Sequence, residues 1–182
     1  MKLIIAGPGA GKTSNLAELV FDKSLMRKNK KWFFIITFTN QARNVILNKI
    51  NSKPKFQVPK VSVSTIHSFF LNEIIFPYHH FLYSKKFYRA TSIELPNDTQ
   101  FRSIRLSQLR NQNYIHNTEV SKYSKYIIVG KKSDSKEIKL IRQKIHSILQ
   151  SYISDVFIDE AQDIDLEMSE IFTTFQNLGI EI

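Results

Sequence analysis

Residues 3–13 read LIIAGPGAGKT, an apolar run that leads straight into a glycine-rich loop closed by Lys12 and Thr13. The run has the character of a buried strand, and the loop fits the relaxed form of a phosphate cradle. Ala6 stands where Gly is commonest, and Gly7, Pro8, Gly9 and Ala10 separate it from Gly11-Lys12-Thr13. Backbone N–H groups at the glycines can turn inward without a Cβ in the way. A helix starting near Lys12 points its positive end at the same anion. Lys12 is then expected to reach the β- and γ-phosphates of a nucleotide, and Thr13 to offer its hydroxyl to Mg²⁺. The alternative, an ordinary glycine-rich turn, does not explain the strand before the loop and the amphipathic pattern after it.

The rest of the chain extends this start. Leu16, Leu19, Val20 and Leu25 recur at helical spacing after the loop. Trp32 to Thr39, WFFIITFT, is a nearly continuous apolar run, as expected for a parallel strand covered on both faces. Asn40 opens a helix whose stripe is Ala42, Val45, Ile46 and Ile50, and Asn51 to Pro54 ends it. A third strand is predicted over Lys60 to Thr65, followed by a helix from Ile66 to Phe76 that Pro77 stops. Three β-α units in succession predict a parallel sheet with helices on both faces, where ligands sit at the carboxyl ends of the strands.

From Pro77 to Ser135 the rhythm breaks, and the chain becomes rich in Lys, Arg, Tyr, Asn and Ser. This stretch, 77–135, reads as an inserted, mostly helical basic lobe within a main domain made of 1–76 and 136–182. Helical periodicity returns from Lys136, with Ile138, Ile141, Ile145, Ile148, Leu149 and Tyr152 on one face and Arg142 largely off it. Asp155 to Asp159, DVFID, is the next strand, and a last helix covers Asp165 to Leu178. Ile180 and Ile182 begin a further strand.

Charge divides sharply along the 182 residues. Residues 1–70 carry +10, residues 71–150 carry +8, and residues 151–182 carry −8 with no Lys or Arg, for a net +10. Such asymmetry suits a polyanion-binding surface beside a carboxylate site, a solvated lysine-rich face being the alternative. The chain contains no Cys, which excludes disulfides and thiolate metal sites. It has no apolar stretch long enough to span a bilayer, so a cytoplasmic protein without membrane contact is expected. The histidines, including His79-His80, lack ligand-spaced partners.

An apolar strand ending in Asp-Glu after a phosphate loop supplies the other half of a nucleotide-hydrolysing site. One carboxylate holds Mg²⁺ and the next orients or deprotonates the attacking water. Asp159 takes the metal role and Glu160 the water role.

Four stretches in order, AGPGAGKT, ITFTNQA, VSTIHSFF and FIDEAQDI, resemble the superfamily 1 DNA helicases of the UvrD/Rep/PcrA type. The resemblance covers the first RecA-like, P-loop NTPase domain. It implies ATP and Mg²⁺ as ligands, single-stranded DNA and duplex junctions as partners, and Gln162 as the residue coupling the γ-phosphate to bound nucleic acid. Thr37, Phe38, Thr39 and Asn40 match the family's first strand-contacting motif, and Thr65, His67 and Ser68 match the second. Physically, hydroxyls and amides suit a phosphodiester backbone and an aromatic suits a base. Phe38 is the stacking candidate, a core position being its alternative, and a locally bonded helix start is the alternative for His67. In the insert, Tyr83 to Arg89 and Lys122 to Tyr126 interleave aromatic and basic residues in the manner suited to a nucleic-acid strand.

The family also has an upstream glutamine segment that reads adenine and a downstream Gly-Asp-x-x-Gln motif leading to a second RecA-like domain. Neither is in these 182 residues. The expectation is therefore a helicase or translocase ATP-binding half that needs a second RecA-like domain or chain, and that hydrolyses ATP slowly by itself. A non-catalytic module binding nucleotide and single-stranded nucleic acid is the alternative.

Overall fold

A computed structural model describes residues 12–26, 30–52 and 60–182, with backbone alone at 12–15, 17, 24 and 25. The expected first strand and the phosphate loop through Gly11 lie outside the described residues. The chain divides into two compact units, Met1–Ile66 with His146–Ile182, and His67–Ile145.

The first unit is built on a parallel sheet of β1 (Trp32–Thr37), β2 (Val61–Thr65) and β5 (Ile153–Ile158) in the order β2-β1-β5. β1 is central, and its residues from Phe33 to Thr37 are all buried, which is why it reads as an unbroken apolar run. Alternation sends Phe33 and Ile35 to one face. There they pack with Val63, with Val20 of α1 (Lys12–Met26), and with Ile46 and Ile50 of α2 (Asn40–Asn51). Phe157 of β5 stacks on Phe33 from the same face, ring centroids 6.5 Å apart. Phe34 points to the other face, where Tyr152 at the end of α7 (Lys136–Tyr152) meets it edge-on at 6.4 Å. This mixed α/β arrangement, a parallel sheet with flanking helices, is compatible with a RecA-like fold.

Helix α8 (Leu166–Asn177) starts at Asp165, whose carboxylate accepts from Met168 N–H at 2.7 Å. It ends at Gly179, with φ +78°. Gly179 N–H donates to Gln176 O, and Ile180 N–H donates to Phe175 O, the paired bonds of a left-handed helix terminator. That turn delivers Glu181 to a parallel bridge with Asp155, where the sequence predicts a further strand.

Two expectations about helices are corrected. Pro77 does not stop the helix after β2, because the chain runs on through α3 (Ile66–Phe69), a π-helical stretch (Phe70–Ile75) and α4 (Phe76–Tyr83). Phe76 N–H reaches back to Leu71 O, and this wide turn eases the clash a proline ring makes with the preceding carbonyls. Val45 is 41% exposed, and Leu47 takes its place against the core.

The second unit contains the stretch 77–135. Besides α4, α5 (Thr99–Asn111) and α6 (Val120–Ile128), it has two short parallel strands, β3 (Arg89–Thr91) and β4 (Tyr114–His116). Its aromatic core gathers His79, Tyr83, Phe87 and Tyr123, with His79 4.8 Å from Phe87 and 5.2 Å from Tyr123. Phe87 is therefore core rather than a surface stacking group, whereas Tyr88 is exposed with Lys86 above its ring at 5.2 Å.

Burial holds the pKa of His79 below its ordinary 6.5, outweighing the bond of Nδ1 to Lys85 O; Lys131 and His80 also lower it. A buried neutral His takes up its proton more readily when unfolded. Its contribution is full above about pH 6.5 and declines as pH falls through the lower folded value. Urea midpoints should therefore drop between pH 7.5 and pH 5.5, and His79→Phe should flatten that drop. An unchanged slope in the variant would assign the effect elsewhere.

Candidate functional site

The carboxyl ends of the three strands share one edge of the sheet. Thr37 and Thr65 are register partners, Ile36 pairs with Ile158, and Asp159 N–H donates to Ile36 O at 2.8 Å. Asp159 is 6% exposed at the end of β5, a strand buried from Ile153 to Val156 and half-buried at Phe157 and Ile158. Glu160 follows in the left-handed region, with φ +62° and ψ +51°, a conformation costing a non-glycine residue about 1 kcal/mol or more. The chain thereby leaves the sheet abruptly. Gln162 Nε2 donates to Glu160 Oε2, and Asp163 N–H to Glu160 O at 3.0 Å. The first bond holds the Glu160 and Gln162 side chains together, and the second closes the backbone turn that follows Asp159.

The end of β1 is equally specific. Thr37 is wholly buried, and its hydroxyl donates to Thr39 O at 3.0 Å. Thr39 in turn caps α2, its hydroxyl oxygen accepting from Ala42 N–H at 3.1 Å. Phe38, between them, is half-buried and stands after the strand rather than inside it; Thr39 and Asn40 are exposed. A shallow cleft of about 270 Å³ lined by Thr39, Gln41, Ala42 and Val45 adjoins this turn. Thr65 closes β2, half-buried, while His67 is exposed and Ser68 half-buried in the first turn of α3.

Ala6, Gly7, Pro8, Gly9, Ala10 and Gly11 lie outside the described residues. Lys12 and Thr13 open α1, their backbone helical as the loop-to-helix pattern requires, with their side chains outside the description. The donor chemistry fits Mg²⁺: a hard carboxylate oxygen at a strand end is the kind of group that binds this ion together with phosphate oxygens. Among the described residues no group of three or more His, Cys, Asp or Glu is placed to hold an ion. None of the described helices is long and apolar enough to cross a membrane.

Sequence reasoning passed over two residues that shape this region. Lys23 pairs with Asp155 and with Glu181, each at 2.7 Å. Its signal was present, since Leu16, Val20 and Lys23 share one stripe, and a cation on an apolar stripe asks for a buried partner. Arg43 is the other, its Nε donating to Val63 O at 3.3 Å and tying α2 to β2.

The family model described as UvrD/REP helicase N-terminal domain matches residues 1–144. The match takes in the phosphate loop and both strand-contacting motifs and ends before Asp159. Comparison with curated proteins returns no match. The matched domain suggests the ATP-binding part of a helicase, and helicases of this kind use ATP and Mg²⁺ and bind single-stranded DNA. Because the match runs through most of the 182 residues, the chain belongs to the UvrD/REP helicase family.

Proposed function

We propose that this chain is the ATP-binding part of a DNA helicase or translocase that couples ATP hydrolysis to movement along single-stranded DNA, working with a second RecA-like domain. The observation that carries the reading is the shared carboxyl edge of the parallel sheet. Asp159 and Glu160 end β5 there, and Thr37 to Asn40 end the adjacent β1. In this reading 1–76 and 136–182 form the RecA-like domain and 77–135 is its inserted lobe.

Ala6 to Gly11 would cradle the phosphates, with Lys12 reaching the β- and γ-oxygens. Asp159 and Thr13 would hold Mg²⁺, which when bound would supply positive charge to offset the negative charge building on the transferring phosphoryl group. Glu160 accepts a proton from the attacking water and keeps it oriented. Gln162, already bonded to Glu160, relays the state of the γ-phosphate. Phe38 offers a ring to a base, Thr39 and Asn40 donate to phosphates, and Thr65, His67 and Ser68 form the second strand-contacting stretch.

The test is single-stranded DNA binding as a function of salt. With about 4 to 6 phosphates neutralised, log affinity should fall against log salt with a slope of roughly −3 to −4. Phe38→Ala should cost about 1–3 kcal/mol of binding if a base stacks there, with the melting temperature near the parent's. A salt-independent signal, or Phe38→Ala losing its fold rather than its affinity, contradicts the reading.

A further inference from the structure

Lys23 stands in the last turn of α1, where its ammonium meets Asp155 Oδ1 and Glu181 Oε2, each at 2.7 Å, above the Phe157 ring at 5.3 Å. Asp155 is 1% exposed in the body of β5, on the face it shares with Phe157 and, two residues further, with Asp159. Glu181 belongs to the chain that bridges Asp155 on the far side of β5 from β1. One cation thus ties together the helix that follows the phosphate loop, the strand that ends at Asp159, and the strand position beside it. Burial works to lower the pKa of Lys23, but its bonds to Asp155 and Glu181 outweigh this and raise it, so the ammonium keeps its charge at neutral pH.

The tie has a geometric consequence. A crossover helix runs back against the direction of its strands. From Lys23 to Lys12 is about 16 Å of helix, and from Asp155 to Asp159 is about 13 Å of strand. Measured from the ion pair, the phosphate-binding start of α1 and the carboxylate of Asp159 come to nearly the same height over the sheet. Apolar packing of Leu16 and Val20 would tolerate sliding along the helix axis. A buried carboxylate that must meet one ammonium would not.

Resting on the nucleotide-binding reading above, we propose that Lys23 is a positioning residue, which through Asp155 and Glu181 sets the register of α1 on β5 and with it the spacing between the start of α1 at Lys12 and Asp159, the residue assigned to the metal. Lys23 stands at the opposite end of α1 from Lys12 and is engaged with Asp155 and Glu181, so its removal should be felt most where both ends of the spacing are used at once.

The experiment compares the full chain with Lys23→Met and Lys23→Arg. With Mg²⁺, Lys23→Met should bind a non-hydrolysable ATP analogue about tenfold more weakly than the parent, the low end for groups supporting a metal ligand, and in EDTA differ by less than about twofold. Lys23→Arg, which keeps the charge, should recover most of the loss. Equal losses with and without Mg²⁺, or no loss, would overturn the proposal.

Hydrogen exchange provides a readout without nucleotide. In Lys23→Met the amides of Val156 and Asp159, which donate to Glu181 O and Ile36 O, should exchange faster, while those of α6 keep their parental rates. Faster exchange with no nucleotide binding by the parent would remove the nucleotide reading and leave the register role. Unchanged exchange at both amides would remove the register role itself.

Discussion

Glu160→Gln is expected to lower ATP hydrolysis by about 10²- to 10⁴-fold, the usual contribution of a positioned general base. Binding of the Mg-bound nucleotide should stay near the parent's. The substitution preserves length and can keep a bond to the Gln162 amide, so the abrupt turn after Asp159 persists. What is lost is the acceptor-only carboxylate to which the proposed function assigns the proton of the attacking water. Steady-state hydrolysis with and without single-stranded DNA, beside a titration with a non-hydrolysable analogue, separates the two quantities. Parental hydrolysis by the variant would assign the base to another residue.

The second large effect lies in the other unit. Arg142 is 6% exposed, and its guanidinium donates to Asp134 Oδ2 at 2.5 Å, to Ile127 O at 3.0 Å and to Tyr126 O at 3.2 Å. It therefore serves carbonyls at the end of α6 and a buried carboxylate together. Burial works to raise the pKa of Asp134, but the Lys131 N–H and the Arg142 guanidinium outweigh it and hold it below the usual 3.8. Gly130, with φ +104°, leaves room for the guanidinium, because a Cβ there would stand 2.6 Å from Nη1.

Arg142→Ala strands Asp134 without its partner and should lower the unfolding free energy by about 3–5 kcal/mol, a large share of the total for a domain of this size. Urea denaturation followed by circular dichroism measures it. Arg142→Met combined with Asp134→Leu should recover most of the loss, since an apolar pair replaces the ion pair without leaving a charge. A double variant no better than Arg142→Ala would show that the carbonyl contacts, rather than the stranded carboxylate, carry the cost.

The sheet could be read from the sequence because burial on both faces leaves a mark that periodicity detects. β1 is apolar up to Thr37 and β5 apolar apart from Ser154 and Asp155, and both elements lie within two residues of their expected bounds. The placement of Asp159 and Glu160 at a strand end followed from the same reading, and their chemical roles belong to the proposal. Elements whose determinants are not periodic escaped. β3 and β4 are three residues each, too short to show alternation. Pro77 reads as a stop because a sequence does not reveal a π-helical turn that accommodates the ring. Arg142 reads as solvated, since charge alone does not announce a buried carboxylate eight residues away. The left-handed Glu160 has no sequence signal, as only the turn at the sheet edge demands it.

Whether a nucleotide is held between the phosphate loop and the carboxyl end of β5, as proposed, is tested most directly by a titration of the parent and Lys12→Ala with a fluorescent non-hydrolysable ATP analogue in Mg²⁺. The account predicts saturable one-site binding by the parent and, for Lys12→Ala, an affinity at least about tenfold lower, equivalent to about 1.4 kcal/mol or more. Equal binding by the two proteins, or no binding by the parent, would contradict it.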